Sequence, residues 1–126
     1  MVQTDVSQLT AECSEWRQIL RSYREELQLS KKALQEICRQ SPTKDQLKEV
    51  EHFDNQFHIQ LINIHDLKHN IKLHEKMIEA ESPGTEGPAE EVYARHEQLL
   101  DQFLMLENTL QELRNDYKNF VSAVSC

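Results

Sequence analysis

Apolar residues recur along this chain at alternating spacings of three and four, in three long and separate stretches. The first is Val6, Leu9, Cys13, Trp16, Leu20, Tyr23, Leu27, Ser30, Leu34 and Ile37, broken only by Ser30. The third is Val92, His96, Leu99, Phe103, Leu106, Leu110, Leu113, Tyr117, Phe120 and Val124, where only His96 is not apolar. A seam of period 3.5 keeps one face of a helix on its neighbours along the whole length, as coiled coils require. Three such seams in one chain satisfy one another when the chain folds back twice. The pattern predicts an all-α fold, an elongated antiparallel three-helix bundle with Trp16, Phe57 and Phe103 in its core.

The middle stretch is less regular. Its best seam is Leu47, Val50, Asp54, Phe57, Leu61, Ile64, Lys68, Ile71, Glu75 and Ile78, which carries three charged residues. A neighbouring line through Phe53, Phe57, Ile64, Leu67, Ile71, His74 and Ile78 fits almost as well. Together they make a broad stripe, as expected of a helix that touches both others. Lys68 and Glu75 can lay their stems on the core and keep their charges in water.

Two breaks divide the chain. Gln40 to Asp45 is short enough to join antiparallel neighbours, and Pro42 suits the opening turn of a helix. Ser41 or Thr43 can cap that helix, and Thr43 with Gln46 fits a capping box. The second break, Glu81 to Pro88, holds both glycines and two of the three prolines. Pro88 then suits a first helical residue, and Glu90 and Glu91 put negative charge where a helix N-terminus favours it. The chain reads as one domain, residues 1–126, with helices over about 4–40, 43–81 and 88–123. At ~1.5 Å per residue each is roughly 50 Å long.

Charge narrows the partners. The chain carries a formal −8, from 14 Lys and Arg against 22 Asp and Glu. Such a surface repels phosphate backbones and anionic lipid, so neither nucleic acid nor membrane is expected as a partner. The balance is graded: six basic and six acidic residues in 1–41, five and eight in 42–81, three and eight in 82–126. Such a gradient steers a basic partner surface toward the third helix, although a merely solvated acidic face is the commoner reading. Residues Met1 to Thr10 lack the pattern of a secretory signal, and no apolar run approaches the ~20 residues of a membrane span. Cys13 falls on a seam, Cys38 near the end of the first helix, and Cys126 at the last position. An odd count without regular spacing does not make a disulfide framework. A reducing compartment follows, with the cytoplasm as the expected location.

Leu9-Thr10-Ala11-Glu12-Cys13-Ser14-Glu15-Trp16 resembles the first helix of a spectrin-type repeat, which carries a Trp in an acid-rich amphipathic context. Arg95, Leu99, Phe103, Leu106 and Arg114 are similar to that family's third helix, with Phe103 where Trp is usual. The resemblance implies a three-helix coiled coil without chemistry of its own, serving as spacer or docking surface in cytoskeletal, nuclear-envelope and adaptor proteins. As a tandem-repeat family it also leaves open whether this chain is a piece of a longer protein or a small subunit.

Five of the six histidines, His52, His58, His65, His69 and His74, lie on the second helix. His65 and His69, four apart, share a face at the spacing of two metal ligands. Zinc wants a third and fourth, Asp66 is read as pointing elsewhere, and no Cys is placed beside them. No metal, cofactor or catalytic residue is assigned, and the chain is read as not an enzyme. Ser41-Pro42 and Ser82-Pro83 are short signals for a proline-directed kinase.

The residues left unexplained are apolar ones off the seams. Ile59, Ile62 and Leu73 on the second helix, Leu104 and Met105 on the third, and Leu29 on the first all fall outward. Either they form a docking patch or self-association face, or the second helix rotates to bury its share. The functional reading is a non-catalytic protein–protein interaction or spacer module whose partner is a protein, and one offering a basic apolar helix would suit it. The alternative is a subunit of a larger coiled-coil complex whose helices pair with other chains.

Overall fold

In the computed structural model, residues 6–38, 42–80 and 89–124 are described, and all that follows concerns them. They form three helices and no strand: α1 (Val6–Cys38), α2 (Lys44–Glu79) and α3 (Glu90–Val124). With 33, 36 and 35 residues, each helix spans roughly 50 Å. The side-chain pairs fix their directions. Arg17 meets Glu75 and Lys31 meets Asp54, so α1 and α2 run antiparallel. Phe53 meets Phe120 while His74 meets His96, so α3 reverses again. Tyr23 with Glu107 and Glu26 with Arg114 then set α1 and α3 side by side and parallel. The fold is the three-helix bundle that the seams predict.

The ends of the helices show why they begin where they do. Thr43 is the N-cap of α2 in extended conformation, and its hydroxyl accepts from the Gln46 N–H at 3.2 Å. The Gln46 side chain accepts the Thr43 N–H in return at 2.8 Å, closing the capping box. Thr43 takes the cap, so Pro42 precedes it instead of opening the helix, and Lys44 is the first helical residue. At the head of α3 the Ala89 carbonyl accepts from Val92 and Tyr93, with Glu90 and Glu91 in the first turn. Ser41, the Ser82-Pro83 pair, Pro88 and the side chains of Cys38 and Cys126 lie outside the described residues.

The seams of α1 and α3 bury as their spacing predicts. Leu9, Cys13, Leu20 and Leu34 on α1 and Leu99 and Leu110 on α3 are almost fully enclosed, as are Trp16, Phe57 and Phe103. The middle helix corrects its expected seam. Leu47 and Asp54 are exposed, and the buried line runs Val50, Phe53, Phe57, Gln60, Ile64, Leu67, Ile71, His74 and Ile78. That line keeps the three-four spacing without interruption, but it passes through Gln60 and His74. Buried polar residues made it look the poorer of the two. Gln60 is held by the Asn63 side chain, which donates to it at 3.1 Å.

Candidate functional site

The three seams carry one layer of unusual chemistry. Cys13 sits early on α1, His74 late on α2 and His96 early on α3. Because α2 runs against the other two, those positions fall at one end of the bundle. All three side chains are buried. The His74 Nε2 lies 3.0 Å from His96 Nδ1, and the Cys13 Sγ lies 3.9 Å from that same nitrogen. One donor atom from each residue falls within 4.8 Å of the others.

The neighbours assign the protons. Glu12, one residue ahead of Cys13, stands at the rim of the seam with its side chain one-third exposed and an oxygen 3.1 Å from His96 Nε2. A carboxylate only accepts, so Nε2 carries the hydrogen, and in the neutral imidazole Nδ1 presents its lone pair inward. His74 then donates from Nε2 to that lone pair. Its own Nδ1 is fully buried and has no partner. An unsatisfied buried polar atom is expensive, about 1–3 kcal/mol, so this layer is less favourable than three aliphatic residues would be. Trp16 covers the site, its ring 4.7 Å from the His96 ring and 6.0 Å from Phe103. Beside it Arg17 clamps Glu75 through two nitrogens at 2.5 and 3.1 Å.

Burial governs titration here. His74 is pushed down to about 4, first by desolvation, then by His96 and Arg95 against the opposing pull of Glu75. Burial pushes the Cys13 thiol up to about 12, with Glu75 and Glu12 adding to it and Arg17 opposing. A thiol so disfavoured as thiolate is a poor nucleophile. The chemistry open to this layer is ligation, in which a bound cation itself removes the proton.

The histidine pair singled out by spacing is placed elsewhere. His65 and His69 are solvent-exposed, and Asp66, expected to point away, comes within 3.5 Å of His65 Nδ1. They line a surface hollow of about 190 Å³ with Arg24, Lys68 and Lys72. Positive charge crowds that hollow: the Lys68 ammonium is held below its ordinary range by burial and by Arg24, Arg21, Lys72 and Arg17. A cation has no reason to settle there. Counting charge by chain segment misses this patch, because the arginines of α1 and the lysines of α2 are far apart in sequence.

The outward apolar residues stay outward. Ile59, Ile62, Leu73, Leu104, Met105 and Leu29 are all exposed, so α2 does not rotate to bury its share. Met105 lines a groove of about 470 Å³ between α2 and α3, together with Gln60, Asn63, Leu67, Asn70 and Leu106 among others. Met77, which the heptad reading did not single out, and Leu47, which it placed on the seam, are further exposed apolar residues. The Cys13, His74 and His96 layer was also missed. Its signal was present, since each residue lies on one of the seams considered and at the same end of an antiparallel bundle. No helix is long and apolar enough to cross a membrane among the described residues. Compared with protein-family models, curated proteins and solved structures, the chain matches none of them.

Proposed function

We propose that this chain is a non-catalytic protein–protein interaction or spacer module of the spectrin-like kind, working in a cytoskeletal or adaptor assembly in the cytoplasm. The observation that carries the reading is the mutual burial of all three seams within one chain. A helix whose seam is already covered has its outer face free for partners, whereas the subunit alternative needs seams left open for other chains. The exposed apolar residues supply the docking element. Ile59 and Ile62 lie three apart on α2, and Leu73 follows at a spacing that returns to a similar face. Leu104 and Met105 give α3 a second small patch. The acidic surface of α3 favours a partner with Lys or Arg beside its apolar stripe, mainly by speeding encounter.

Changing Ile59 and Ile62 together to Glu tests the reading. Exposed substitutions shift stability by about 0.5 kcal/mol each, so the variant is expected to melt within a few degrees of the parent. Proteins captured by the parent chain and lost by the variant identify the docking partner. If capture is unchanged, the interface lies elsewhere. If the isolated chain sediments as a mixture of large species instead of a discrete folded unit, the subunit alternative replaces the module.

A further inference from the structure

We propose that Cys13, His74 and His96 form a zinc-class cation site that fastens the three helices together at one end of the bundle. Nothing in the docking role requires it, and it stands on separate observations.

The first is geometry. Zinc holds sulfur at about 2.3 Å and imidazole nitrogen at about 2.0–2.1 Å, so tetrahedral ligands stand about 3.3 Å apart for two nitrogens and about 3.6 Å for nitrogen and sulfur. The corresponding separations here are 3.0 Å between His74 Nε2 and His96 Nδ1 and 3.9 Å between His96 Nδ1 and Cys13 Sγ. Shifts of a few tenths of an ångström bring these two pairs to those spacings, and the three donors together lie within 4.8 Å of one another. The second is the outer shell. A ligating histidine characteristically gives its other N–H to a carboxylate, which fixes the tautomer and turns the remaining lone pair toward the metal. Glu12 holds that position on His96, 3.1 Å from Nε2.

The third observation is charge. A divalent cation in an apolar core needs compensation close by, and here a Cys13 thiolate and the Glu12 carboxylate supply it. The two imidazoles remain neutral. The fourth is the cation-free layer itself, which packs two imidazoles and a thiol where aliphatic residues would serve a simple core. Binding breaks the S–H bond of Cys13 and forms three coordinate bonds. One proton goes to solvent, and His74 moves its own proton from Nε2 to Nδ1. Water fills the fourth position. Each ligand comes from a different helix, so one ion ties together α1, α2 and α3.

Cobalt(II) titration of the full chain, reduced and stripped with chelator, tests this through the thiolate-to-cobalt charge-transfer band. The chain has three cysteines, so the probe is made in a variant carrying Cys38→Ser and Cys126→Ser, in which Cys13 is the sole thiol. The expected result is a charge-transfer band saturating at one cobalt per chain and abolished by one equivalent of zinc. Zinc should also raise the melting temperature, and Glu12→Gln should weaken binding about 10- to 100-fold while leaving circular dichroism unchanged. No band in the single-thiol variant overturns the proposal, whether or not cobalt binds through surface histidines. A band in the parent that disappears on removing Cys38 and Cys126 overturns it equally.

Discussion

The two ends of this rod are built from the same heptad seams and differ in what fills them. At one end Phe53 and Phe57 of α2 meet Tyr117 and Phe120 of α3, with ring centroids 5.0 to 5.5 Å apart in the closest pairs. Of these four rings only Tyr117 carries a polar group, and its hydroxyl donates to the Ser30 carbonyl at 3.3 Å. At the other end Cys13, His74 and His96 occupy the equivalent interior positions beneath Trp16. The aromatic end gains by transfer of ring surface from water, which ordinary pH does not affect. The imidazole end holds groups that water would rather solvate and protonate. The ring cluster therefore adds pH-independent stability at one end, and His74 makes the other end sensitive to acid.

The sharpest way to break that contrast is to remove a ring. Phe57→Ala empties a fully buried site in contact with Phe53 and Tyr117 and should cost about 3–5 kcal/mol by urea unfolding. A loss under 1 kcal/mol would mean the aromatic end does not carry the fold.

Acid attacks the other end. In metal-free protein, unfolded His74 takes its proton near 6.5, while the folded residue stays neutral until about 4. The contribution of His74 is thus fully present above pH 6.5, falls as pH drops from 6.5 toward 4, and levels off below. At about 1.4 kcal/mol per pH unit over the interval from 6.5 to about 4, the loss is on the order of 3–4 kcal/mol at most. The groups facing His74 are His96, Arg95 and Glu75, and the first two oppose its protonation. Urea midpoints measured between pH 7.5 and 4.5 should decline across that window, and His74→Leu should flatten the decline. An equal decline in both proteins would assign it to other groups.

A smaller effect compares the two Arg clamps. Arg17 and Glu75 beside the imidazole layer have side chains 30 and 15 % exposed, whereas Arg114 and Glu26 toward the other end are 36 and 42 % exposed. Water screens the second pair more fully. Arg17→Ala leaves a carboxylate largely enclosed near Cys13 and should cost about 2 kcal/mol, against about 1 kcal/mol or less for Arg114→Ala. Part of the latter comes from the guanidinium lying 5.4 Å over the Tyr23 ring. Equal losses at the two sites would erase the distinction in burial.

How much of this was legible in the sequence follows from what period alone encodes. Helices α1 and α3 have nearly uninterrupted apolar seams, so Leu9, Leu20, Leu99 and Leu110 could be placed inside without coordinates. Helix α2 was harder because apolarity and burial part company on it. Leu47 is apolar and exposed, while Gln60 and His74 are polar and buried, and a seam chosen for hydrophobicity is drawn to the wrong line. The Thr43 and Gln46 capping box was legible from four residues of local sequence, although Ser41 stood as an alternative cap and Pro42 was read into the opening turn. Convergence of Cys13, His74 and His96 depends on the register between helices, which no single helix encodes. The basic hollow of Arg24, Lys68 and Lys72 was hidden for the same reason.

Trp16 reports on the central claim, that one chain covers all three of its own seams. It is the only tryptophan, it is 6 % exposed, and its cover comes from His96 and Phe103 of α3. Its fluorescence can be followed while the protein is diluted from micromolar to nanomolar concentration. The account predicts an emission maximum that stays blue-shifted and a weak, constant quenching by acrylamide at every dilution. An emission that moves to the red on dilution, with quenching rising in step, would show that other chains cover the seam and would contradict it.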